Sequence, residues 1–422
     1  MTLMTKRSAK KPWGILIALT LAVFVGSIIN KETQVLGISP YHVFDVLGTL
    51  FINALTLVVV PLVSSSIITG VARIASESQF GRLGLRTFFY FLLTNFVGIL
   101  IGFSVANLFS PGSGVQMTNV LAPQSIQAAK TGVFSELILE IIPSNILAAF
   151  AKGNMLGLIF FSLIFGYAIT QIGRKSLQTH FQFWKGIFEA MLRITHAIMY
   201  LLPLGVFCLT TKIFADAGLE TLKPLGNFVW ATLIGFILFS FGFIPLLLIF
   251  IAKVPVRNYF RAISPAIVTA FSTGSSSATL PISLECMEER AGISNRICAL
   301  VIPLGTSLNL SGTALYNTMA VFFVAQVFGI EFSAVNQISL IIVTLLISFG
   351  VASVPGGGLV AALTILRIMG LPIEGLGLII ATDRILDMFR TTVNLFSYTT
   401  CSVLVAKSDG ERSVLSKKVY SI

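Results

Sequence analysis

Polar residues near the C-terminal end of the chain have the types and the spacing of a binding site. Asp383, Asp387, Arg390 and Asn394 follow one another at intervals of four, three and four residues within an apolar segment. An α-helix places residues at these intervals on one face. A guanidinium is a rigid fork that suits a carboxylate, and the second aspartate is left to meet an ammonium group. The stripe therefore predicts a cavity for an acidic amino acid. The alternative is a set of ion pairs that only joins two helices.

Glycine- and serine-rich motifs interrupt other apolar segments. Asn309 to Thr313 reads N-L-S-G-T, where glycine costs about 1 kcal/mol in a helix and asparagine and serine compete for backbone hydrogen bonds. We predict an unwound turn there, with exposed carbonyl groups. Ser272 to Ser277, with Pro281 soon after it, and Val354 to Gly358 break two further segments. Such backbone at membrane depth is tolerated only where it is buried in protein or lines a polar cavity.

The composition of the chain places it in a membrane. Of its 422 residues 55% are apolar and 11% charged, and the mean hydropathy is +0.92, whereas soluble domains carry about 25% charged residues. A soluble globular domain is therefore excluded. The net charge of +11 comes mainly from short segments between apolar runs. This pattern indicates cytoplasmic loops that face anionic lipid rather than a nucleic-acid partner.

The cysteines and histidines predict no special chemistry. The four cysteines have no C-x-x-C spacing, and the three histidines have no metal-ligand spacing. We therefore expect the cysteines to be small core residues. Neither a metal site nor a cofactor is predicted.

The apolar segments predict a polytopic helical protein. They lie at 13–29, 43–72, 84–110, 132–173, 180–214, 221–252, 258–290, 295–328, 332–370 and 372–406. The Lys and Arg clusters put both termini in the cytoplasm if segment 258–290 enters and leaves on the same side. This segment and 332–370 are broken at their centres, so we predict two re-entrant hairpins whose tips meet near mid-membrane. Such a pair is typical of the repeats of secondary transporters; loops outside the membrane are the alternative.

Four motifs, taken in order along the chain, carry a resemblance to a known family. They are the triplet Ser275, Ser276 and Ser277; N-x-x-G-T-A-L-Y from Asn309 to Tyr316; V-P-G-x-G from Val354 to Gly358; and D-x-x-x-D-M-x-R-T-x-x-N from Asp383 to Asn394. Through them nearly the whole chain resembles the glutamate transporter homologues, or dicarboxylate/amino acid:cation symporters. The resemblance implies an all-α polytopic membrane protein with eight transmembrane helices, two re-entrant hairpins and inverted repeats. It also implies a homotrimer in the lipid bilayer that works as an elevator, with the second hairpin as a gate.

The resemblance further implies a division of each protomer. A scaffold part comprises residues 1–82 (helices 1 and 2) and 131–220 (helices 4 and 5). A transport part comprises residues 83–130 (helix 3 and an outer loop) and 221–407 (helix 6, hairpin 1, helix 7, hairpin 2 and helix 8). Residues 408–422 form a cytoplasmic tail. Without long glycosylated loops the chain is expected in a bacterial inner membrane.

Carried over position by position, the resemblance assigns roles to the motif residues. Arg390 and Thr313 would hold the side-chain carboxylate of the substrate, and Asp387 its amino group. Thr391 and Asn394 would hydrogen-bond the main-chain end of the substrate. Relatives that take neutral amino acids lack the arginine, so Arg390 favours aspartate or glutamate. Backbone and hydroxyl groups of the hairpins would close the site, namely Ser275, Ser276 and Ser277 in the first and Val354, Pro355 and Gly356 to Gly358 in the second.

Departures from the family pattern concern the coupling ion. Sodium-coupled members read N-x-D-G-T, where this chain has Ser311, and they carry a further sodium-binding aspartate at the position of Tyr398. At a third sodium site Thr94 matches the family, while Phe91 and Asn95 depart from it. Neutral oxygens hold a bare cation far more weakly than carboxylates do in a low dielectric. We therefore predict transport that does not depend on sodium.

The sequence leaves the replacement for sodium open. Asp383 and Asp387 lie one turn apart, and two like charges in a cavity disfavour the ionised form of one of them. A proton is therefore one coupling ion, and an uncoupled carrier or exchanger is an alternative. A sodium site built from backbone carbonyls near Ser307 and residues 348–351 is a further alternative.

A second arginine lies beside the stripe. Some relatives have an arginine just before the serine triplet, where this chain has Gly274. Arg384 is one residue off the stripe and is expected to supply that charge, by pairing either with Asp387 or with the first hairpin.

Two other functions compete with the transport of acidic amino acids. A carrier of the same fold for a dicarboxylate without an amino group would leave the carboxylate of Asp387 unpaired against the substrate. An intramembrane serine hydrolase at Gly274 and Ser275 would need a base, and His196 lies in a segment near the surface of the predicted bundle. The protein is therefore expected to be a transporter and not an enzyme.

Overall fold

The computed structural model describes residues 12–29, 33–34, 39–75, 81–113, 142–152, 155–217, 222–349 and 356–415. Most of these residues are helical, and this part of the chain contains no β-strand. The all-α class predicted from the sequence is confirmed.

The helices of the described residues are labelled in chain order. In the first half they are α1 (Pro12–Ile28), α2 (Pro40–Ala75), α3 (Gly81–Phe109), α4 (Ile146–Lys152), α5 (Met155–Thr170), α6 (Arg174–Tyr200) and α7 (Leu202–Ala217). In the second half they are α8 (Leu222–Ile237), α9 (Val256–Thr273), α10 (Ser276–Glu285), α11 (Asn295–Leu308), α12 (Ser311–Val327), α13 (Ala334–Ser348), α14 (Gly357–Ile368) and α15 (Leu376–Ser408).

α8 continues beyond its last α-helical residue as a wider helix. Leu238–Phe243 and Leu247–Ala252 are π-helical, with the short α-helical segment Ile244–Leu246 between them. Pro245 has no N–H group to donate, so the regular hydrogen-bond ladder is interrupted here, and π-helical turns accommodate the interruption. The wider helix ends at Lys253, which has a φ of 54°.

The first interrupted segment forms two helices that pack against each other. Gly274 and Ser275 alone join α9 to α10. Gly274 has a φ of 59°, a left-handed conformation that favours glycine. Ser275 caps α10, since its side chain accepts a hydrogen bond from the N–H of Ala278 at 3.3 Å. The predicted break in the Ser272–Ser277 run is therefore confirmed as a tight turn.

The predicted break before Ser311 is also confirmed. The helix stops before Asn309 and restarts after Leu310. The second interrupted segment likewise consists of two helices, α13 and α14, that pack against each other. Residues 350–355, which include Val354 and Pro355, lie outside the described residues.

Three helical stretches among the described residues are long and apolar enough to cross a membrane. They are Leu83–Phe109, Lys223–Ala252 and Asn295–Val327, the last of which consists of α11 and α12 with the break at Asn309 and Leu310 between them. Large apolar side chains are exposed along the extended α8, among them Phe241 and Phe250, which are 62% and 70% exposed. Such a surface fits a protein whose solvent is lipid.

The first half packs around α2. This helix contacts α5, α6 and α7, and α1 lies along α7. Nζ of Lys212 on α7 donates to Oδ1 of Asp45 on α2 at 2.5 Å. An ion pair therefore adds to the apolar contact between these two helices.

α15 is the central helix of the second half. It contacts α3, α8, α9, α10, α11, α12 and α14, and also α7 of the first half. α12 is buried along nearly its whole length. α3 packs so closely against α12 that a Cβ at Gly98 would overlap the backbone carbonyl of Ser311, and a Cβ at Gly102 that of Leu315. This packing places the charged stripe of α15 inside the protein.

Candidate functional site

The charged stripe of α15 forms a buried cluster around Arg390. The side chain of Arg390 is 2% exposed, and those of Asp383 and Asp387 are 5% exposed. Nη1 of Arg390 donates to Oδ1 of Asp383 at 3.1 Å, and Nη2 donates to Oδ1 of Asp387 at 2.5 Å. A charge is costly to bury without a partner, so each group depends on the others. The common face predicted for these residues is confirmed.

A second arginine of α15 joins this cluster. Nη1 of Arg384 lies 3.8 Å from Oδ2 of Asp387, so of the two pairings that the sequence left open the one with this aspartate is present. The sequence predicted that one aspartate would be left to meet an ammonium group. In the structure both oxygens of Asp387 face guanidinium groups instead, because the long side chain of Arg384 reaches one turn along the helix. The charged cluster therefore has two groups of each sign, namely Asp383, Asp387, Arg384 and Arg390.

The turn between α9 and α10 lies against the Arg384–Asp387 pair. A Cβ built on Gly274 would lie 3.4 Å from Oδ2 of Asp387 and 3.6 Å from Nη1 of Arg384. The first hairpin thus brings backbone, and not a charged side chain, to the edge of the cluster. The charge next to the turn comes from α15.

Two further groups enclose the guanidinium of Arg390. Its central carbon lies 4.5 Å from the ring centroid of Tyr316 on α12, which is a cation–π distance. Gly358, in the first turn of α14, is so close that a Cβ there would overlap the guanidinium. The start of α14 therefore covers the arginine, and a side chain at position 358 would have to displace the guanidinium.

Asn394 holds the start of α12. Its side-chain oxygen accepts hydrogen bonds from the N–H groups of Gly312 at 2.8 Å and Thr313 at 3.2 Å. Its side-chain nitrogen donates to Oγ1 of Thr313 at 3.1 Å. The first N–H groups of a helix have no partner within that helix, so Asn394 caps α12 from the neighbouring α15.

A second polar cluster, the neutral network, lies two turns further along α15. It consists of six uncharged residues that are each 0% exposed, namely Thr94, Asn95, Asn309, Ser311, Ser397 and Cys401. Oδ1 of Asn309 lies at its centre and accepts hydrogen bonds from Thr94 at 2.9 Å and from Ser397 at 3.1 Å. Nδ2 of Asn309 lies 3.3 Å from Sγ of Cys401. The network therefore joins α3, α15 and the break between α11 and α12.

Ser311 and Asn95 extend the neutral network. Oγ of Ser311 lies 2.8 Å from Oδ1 of Asn95 and 2.7 Å from Oγ of Ser397. Nδ2 of Asn95 donates to the carbonyl of Leu308 at 3.1 Å and to Oγ of Ser348 at 3.3 Å. The carbonyl at the end of α11 and the side-chain oxygens around it are thus occupied by hydrogen-bond donors of the protein.

Two buried tyrosines tie the first hairpin to α15. The hydroxyl of Tyr398 lies 3.1 Å from Oγ of Ser283 on α10. Its side chain packs against Gly305 of α11, where a Cβ would overlap it. From α9, the hydroxyl of Tyr259 donates to the carbonyl of Phe396 at 3.0 Å. Both arms of this hairpin are therefore bonded to the helix that carries the charged cluster.

The site residues predicted from the sequence differ in their burial. The buried ones are Ser276, Thr313, Gly356, Asp387, Arg390, Thr391 and Asn394. At the turn of the first hairpin Ser275 is half-buried and Ser277 exposed. Val354 and Pro355 lie outside the described residues. The side chain of His196, considered as a base, is also outside them.

Sequence reasoning missed three residues of these clusters. Tyr316 lies three residues after Thr313 and so falls on the same face of α12. Ser397 and Cys401 continue the stripe of α15 beyond Asn394 at intervals of three and four residues. Extending the helical spacing in both helices would have found them.

Comparison with known proteins identifies the family. The sequence profile of the sodium:dicarboxylate symporter family matches residues 12–408. The proton/sodium-glutamate symport protein of Geobacillus stearothermophilus is 35% identical over 97% of this chain and 96% of its own length. The proton/glutamate-aspartate symporter of Escherichia coli (strain K12) is 33% identical over 94% of this chain and 92% of its own length. The C4-dicarboxylate transport protein of Bacillus subtilis (strain 168) is 34% identical over 86% of this chain and 87% of its own length.

The family and these relatives are symporters and transport proteins rather than enzymes. The family profile also spans nearly all of the described helices. The protein is accordingly a secondary transporter and an integral membrane protein. The chain belongs to the sodium:dicarboxylate symporter family and is a homologue of the glutamate transporters.

Proposed function

We propose that this protein carries acidic amino acids, L-aspartate or L-glutamate, across the bacterial inner membrane without sodium. The observation that carries the proposal is the buried guanidinium of Arg390, enclosed by α12, α14 and two aspartates. Arginine presents a fork of donors that matches a carboxylate. Such a group inside a protein needs an anionic partner, and Asp383 and Asp387 fill that role until a substrate carboxylate arrives.

Substrate binding would exchange partners within the charged cluster. Arg390 turns from an aspartate to the side-chain carboxylate of the substrate, and Thr313 adds a hydrogen bond to that group. The oxygen of Asp387 that Arg390 releases then accepts the ammonium group of the substrate. Asn394 has a second amide hydrogen besides the one given to Thr313, and together with Thr391 it binds the main-chain carboxylate.

The two hairpins would close the site through their backbone. Gly274 and Gly358 already lie against the charged cluster, and a Cβ at Gly358 would overlap the guanidinium of Arg390. Backbone N–H groups can therefore approach a bound carboxylate closely. The groups proposed to close the site are Ser275, Ser276 and Ser277 in the first hairpin and Val354, Pro355 and Gly356 in the second.

The neutral network supports sodium independence. At Ser311 and Tyr398 the chain offers hydroxyl groups in place of the carboxylates of sodium-coupled members. Both hydroxyls have hydrogen-bond partners inside the protein. A cation entering here would break bonds that join α3 to α12 and would meet no negative charge in return.

The same contacts weigh against a residual sodium site built from carbonyl groups. The carbonyl of Leu308 and the hydroxyl of Ser348 both interact with the side chain of Asn95. Sodium binding near them would leave that amide without partners. A sodium-coupled carrier of this kind stays the alternative that an ion-dependence experiment decides.

Charge balance favours a proton as the coupled ion. The charged cluster has no net formal charge, and an acidic amino acid adds one negative charge to it. Burying an uncompensated charge is costly, so a cation that enters with the substrate lowers that cost. A proton taken up by the charged cluster meets this need without a metal site. The Escherichia coli relative bears the name proton/glutamate-aspartate symporter.

The packing supports the proposed elevator architecture of eight transmembrane helices and two hairpins. α1, α2, α5, α6 and α7 form one set, and α3, α8 and α9 to α15 form a second set around α15. The two sets meet where α7 contacts α15. The first set corresponds to the scaffold part (1–82 and 131–220) and the second to the transport part (83–130 and 221–407). We propose that the second set moves against the first within a homotrimer. The termini, including tail 408–422, are placed in the cytoplasm.

One observation favours a second candidate substrate. Arg384 pairs with Asp387, so this carboxylate does not depend on an ammonium group for its charge partner. A dicarboxylate without an amino group would then meet two guanidinium groups. A relative from Bacillus subtilis is named a C4-dicarboxylate transport protein.

Calorimetric titration in sodium-free buffer distinguishes the two substrates. We expect L-aspartate to bind the purified protein more tightly than succinate, which lacks the amino group. Asp387→Asn is expected to weaken L-aspartate binding about tenfold or more, since a charge-assisted hydrogen bond is lost. Its effect on succinate should be smaller. Equal affinities for both ligands, unchanged in Asp387→Asn, would assign the site to dicarboxylates.

A further inference from the structure

The residues that follow α15 pack against the protein instead of extending away from it. This clasp segment comprises residues 409–415, and its last two members, Val414 and Leu415, are 2% and 0% exposed. Both side chains belong to the apolar core. Leu415 has a φ of 57°, a left-handed conformation that non-glycine residues seldom adopt. Such a conformation persists only where surrounding contacts hold it, so the clasp segment is fixed by its neighbours.

Leu415 connects the two arms of the first hairpin at the end opposite the turn at Gly274. The first arm is α9, and the second is α10 with its π-helical continuation Cys286–Arg290. The N–H of Leu415 donates to the carbonyl of Ala291, just beyond the second arm, at 2.9 Å. Its carbonyl accepts a hydrogen bond from Nδ2 of Asn258, in the first turn of α9, at 3.0 Å. One residue of the clasp segment is therefore bonded to both arms at the base of the hairpin.

Glu411 provides a second attachment at this base. One oxygen of its carboxylate accepts a hydrogen bond from the N–H of Ser294 at 3.3 Å, and the other accepts one from the hydroxyl of the same serine. Ser294 lies directly before α11. Hydrogen bonds to a carboxylate are stronger than those between neutral groups. Glu411 therefore holds the link between the first hairpin and α11.

Asp409 attaches the start of the clasp segment to two further helices. Its Oδ1 lies 3.5 Å from Nη1 of Arg86 on α3, and its Oδ2 lies 3.6 Å from Nη1 of Arg296 on α11. Arg86 also donates to the carbonyl of Ser408 at 2.7 Å, and the hydroxyl of Tyr90 lies 2.8 Å from Oγ of Ser408. Partly exposed ion pairs contribute little one by one. Together with the bonds of Leu415 and Glu411, these pairs join α3, α11 and both arms of the hairpin to the end of α15.

We propose that residues 409–415 form a clasp that keeps the first hairpin closed at its base. The hairpin then moves as one body with α3, α11 and α15. Its two arms separate only after Leu415 has released Ala291 and Asn258. Because the contacts of the clasp segment are few and partly exposed, the clasp can open without unfolding of the helices. The device acts in this way whichever substrate or ion the protein carries.

Buried cysteines of the chain report whether the clasp is closed. Cys286, directly after α10, is 1% exposed, and Cys298 in α11 is 0% exposed. They lie on either side of Ala291 and Ser294, the two residues bonded to the clasp segment. Cys208 is equally buried but belongs to α7 in the first half. A buried thiol reacts with a reagent only when the structure around it opens, so the three thiols compare opening at the base with opening elsewhere.

Labelling of the purified full-length protein with N-ethylmaleimide tests the clasp, with each cysteine followed by peptide mass spectrometry. The test variant is Glu411→Ala/Leu415→Ala, which removes a bonded carboxylate and a buried side chain. We expect Cys286 and Cys298 to react roughly tenfold or more faster in this variant than in the wild type. The reason is that lost hydrogen bonds and lost apolar contacts raise the population of the open form.

Two controls separate the clasp from a general loss of stability. Arg412→Ala/Ser413→Ala changes two exposed residues of the same segment and should react like the wild type at every cysteine. Cys208 is expected to react at the same rate in the wild type and in both variants, because α7 makes no contact with the clasp segment that the substitutions remove.

Three results would overturn the proposal. Unchanged labelling of Cys286 and Cys298 in the test variant would show that the segment does not hold the hairpin closed. An equal acceleration at Cys208 would indicate general destabilisation. Equal effects in the two double variants would mean that the bonds of Glu411 and Leu415 are not the cause. Size-exclusion chromatography checks folding, and Glu411→Ala alone replaces the test variant if that variant does not fold, with a smaller acceleration expected at the same two cysteines.

Discussion

The charged cluster around Arg390 and the neutral network around Asn309 lie two turns apart on α15, and they stabilise buried polar groups in opposite ways. The charged cluster balances two carboxylates against two guanidinium groups, so its members can exchange partners with a charged ligand. The neutral network contains only amides, hydroxyls and a thiol, whose hydrogen bonds are made within the protein. A cation entering there would break these bonds and meet no negative charge. This difference supports the proposal that the chain binds its substrate at the charged cluster and transports it without sodium.

The largest expected effect comes from removing the centre of the charged cluster. Arg390→Gln leaves Asp383 and Asp387 buried without their main partner, and breaking a buried ion pair costs about 3–5 kcal/mol. We expect uptake of L-aspartate into liposomes to fall roughly 100-fold or more. Arg367→Gln, an exposed arginine at the end of α14, is the control and should transport like the wild type. Substantial uptake by Arg390→Gln would exclude the proposed role of the guanidinium.

Placing a charge in the neutral network would remove the difference between the two regions. Ser311→Asp buries a carboxylate among groups that offer no positive partner, so we expect thermal unfolding in choline buffer to show a loss of about 3 kcal/mol. Sodium should raise the melting temperature of this variant and not that of the wild type. Ser311→Asn, which adds a similar volume without charge, is the matched control. Equal stabilisation of the wild type by sodium would show that a sodium site survives.

Removing Arg384 tests whether this second arginine is a direct partner of Asp387 in the charged cluster. Arg384→Gln frees one oxygen of Asp387 for an ammonium group and takes one positive charge from the site. We expect the affinity for succinate to fall about tenfold and that for L-aspartate to fall less, since only the amino acid gains a partner. Calorimetric titration measures both affinities, with Arg290→Gln as an exposed control. A parallel loss for the two ligands would mean that Arg384 acts only as a distant charge.

The smallest expected effect on stability comes from Tyr398, which occupies the position of a sodium-binding aspartate in sodium-coupled members of the family. Tyr398→Phe removes one hydrogen bond to Ser283, which is worth about 1 kcal/mol of unfolding free energy. Transport should continue without sodium. Tyr259→Phe loses contacts to the carbonyl of Phe396 and to the hydroxyls of Thr399 and Thr400, so it should cost more. A melting temperature that drops equally in both variants would contradict this ranking.

Local features of the chain were readable from the sequence. The spacing of Asp383, Asp387 and Arg390 fixes a common face because the helical period is a property of the backbone. The breaks at Gly274 and Asn309 follow from residues that disfavour helix. These predictions need no knowledge of the tertiary structure, and the structure confirms them.

Contacts between distant segments were not readable in the same way. Asn95 meets Ser348 across 253 positions of sequence, and no local preference encodes that pairing. The double pairing of Asp387 was only one of two alternatives, because the direction of the Arg384 side chain depends on how the turn at Gly274 packs. Tertiary packing decides such cases.

The sodium dependence of transport tests the central claim most directly. Purified protein in liposomes is given radiolabelled L-aspartate while sodium, pH and potassium gradients are imposed one at a time. The account predicts that replacing sodium by choline leaves uptake unchanged and that an inward proton gradient accelerates it. Uptake that requires sodium would contradict the account, because the neutral network would then have to accommodate a cation despite its internal hydrogen bonds.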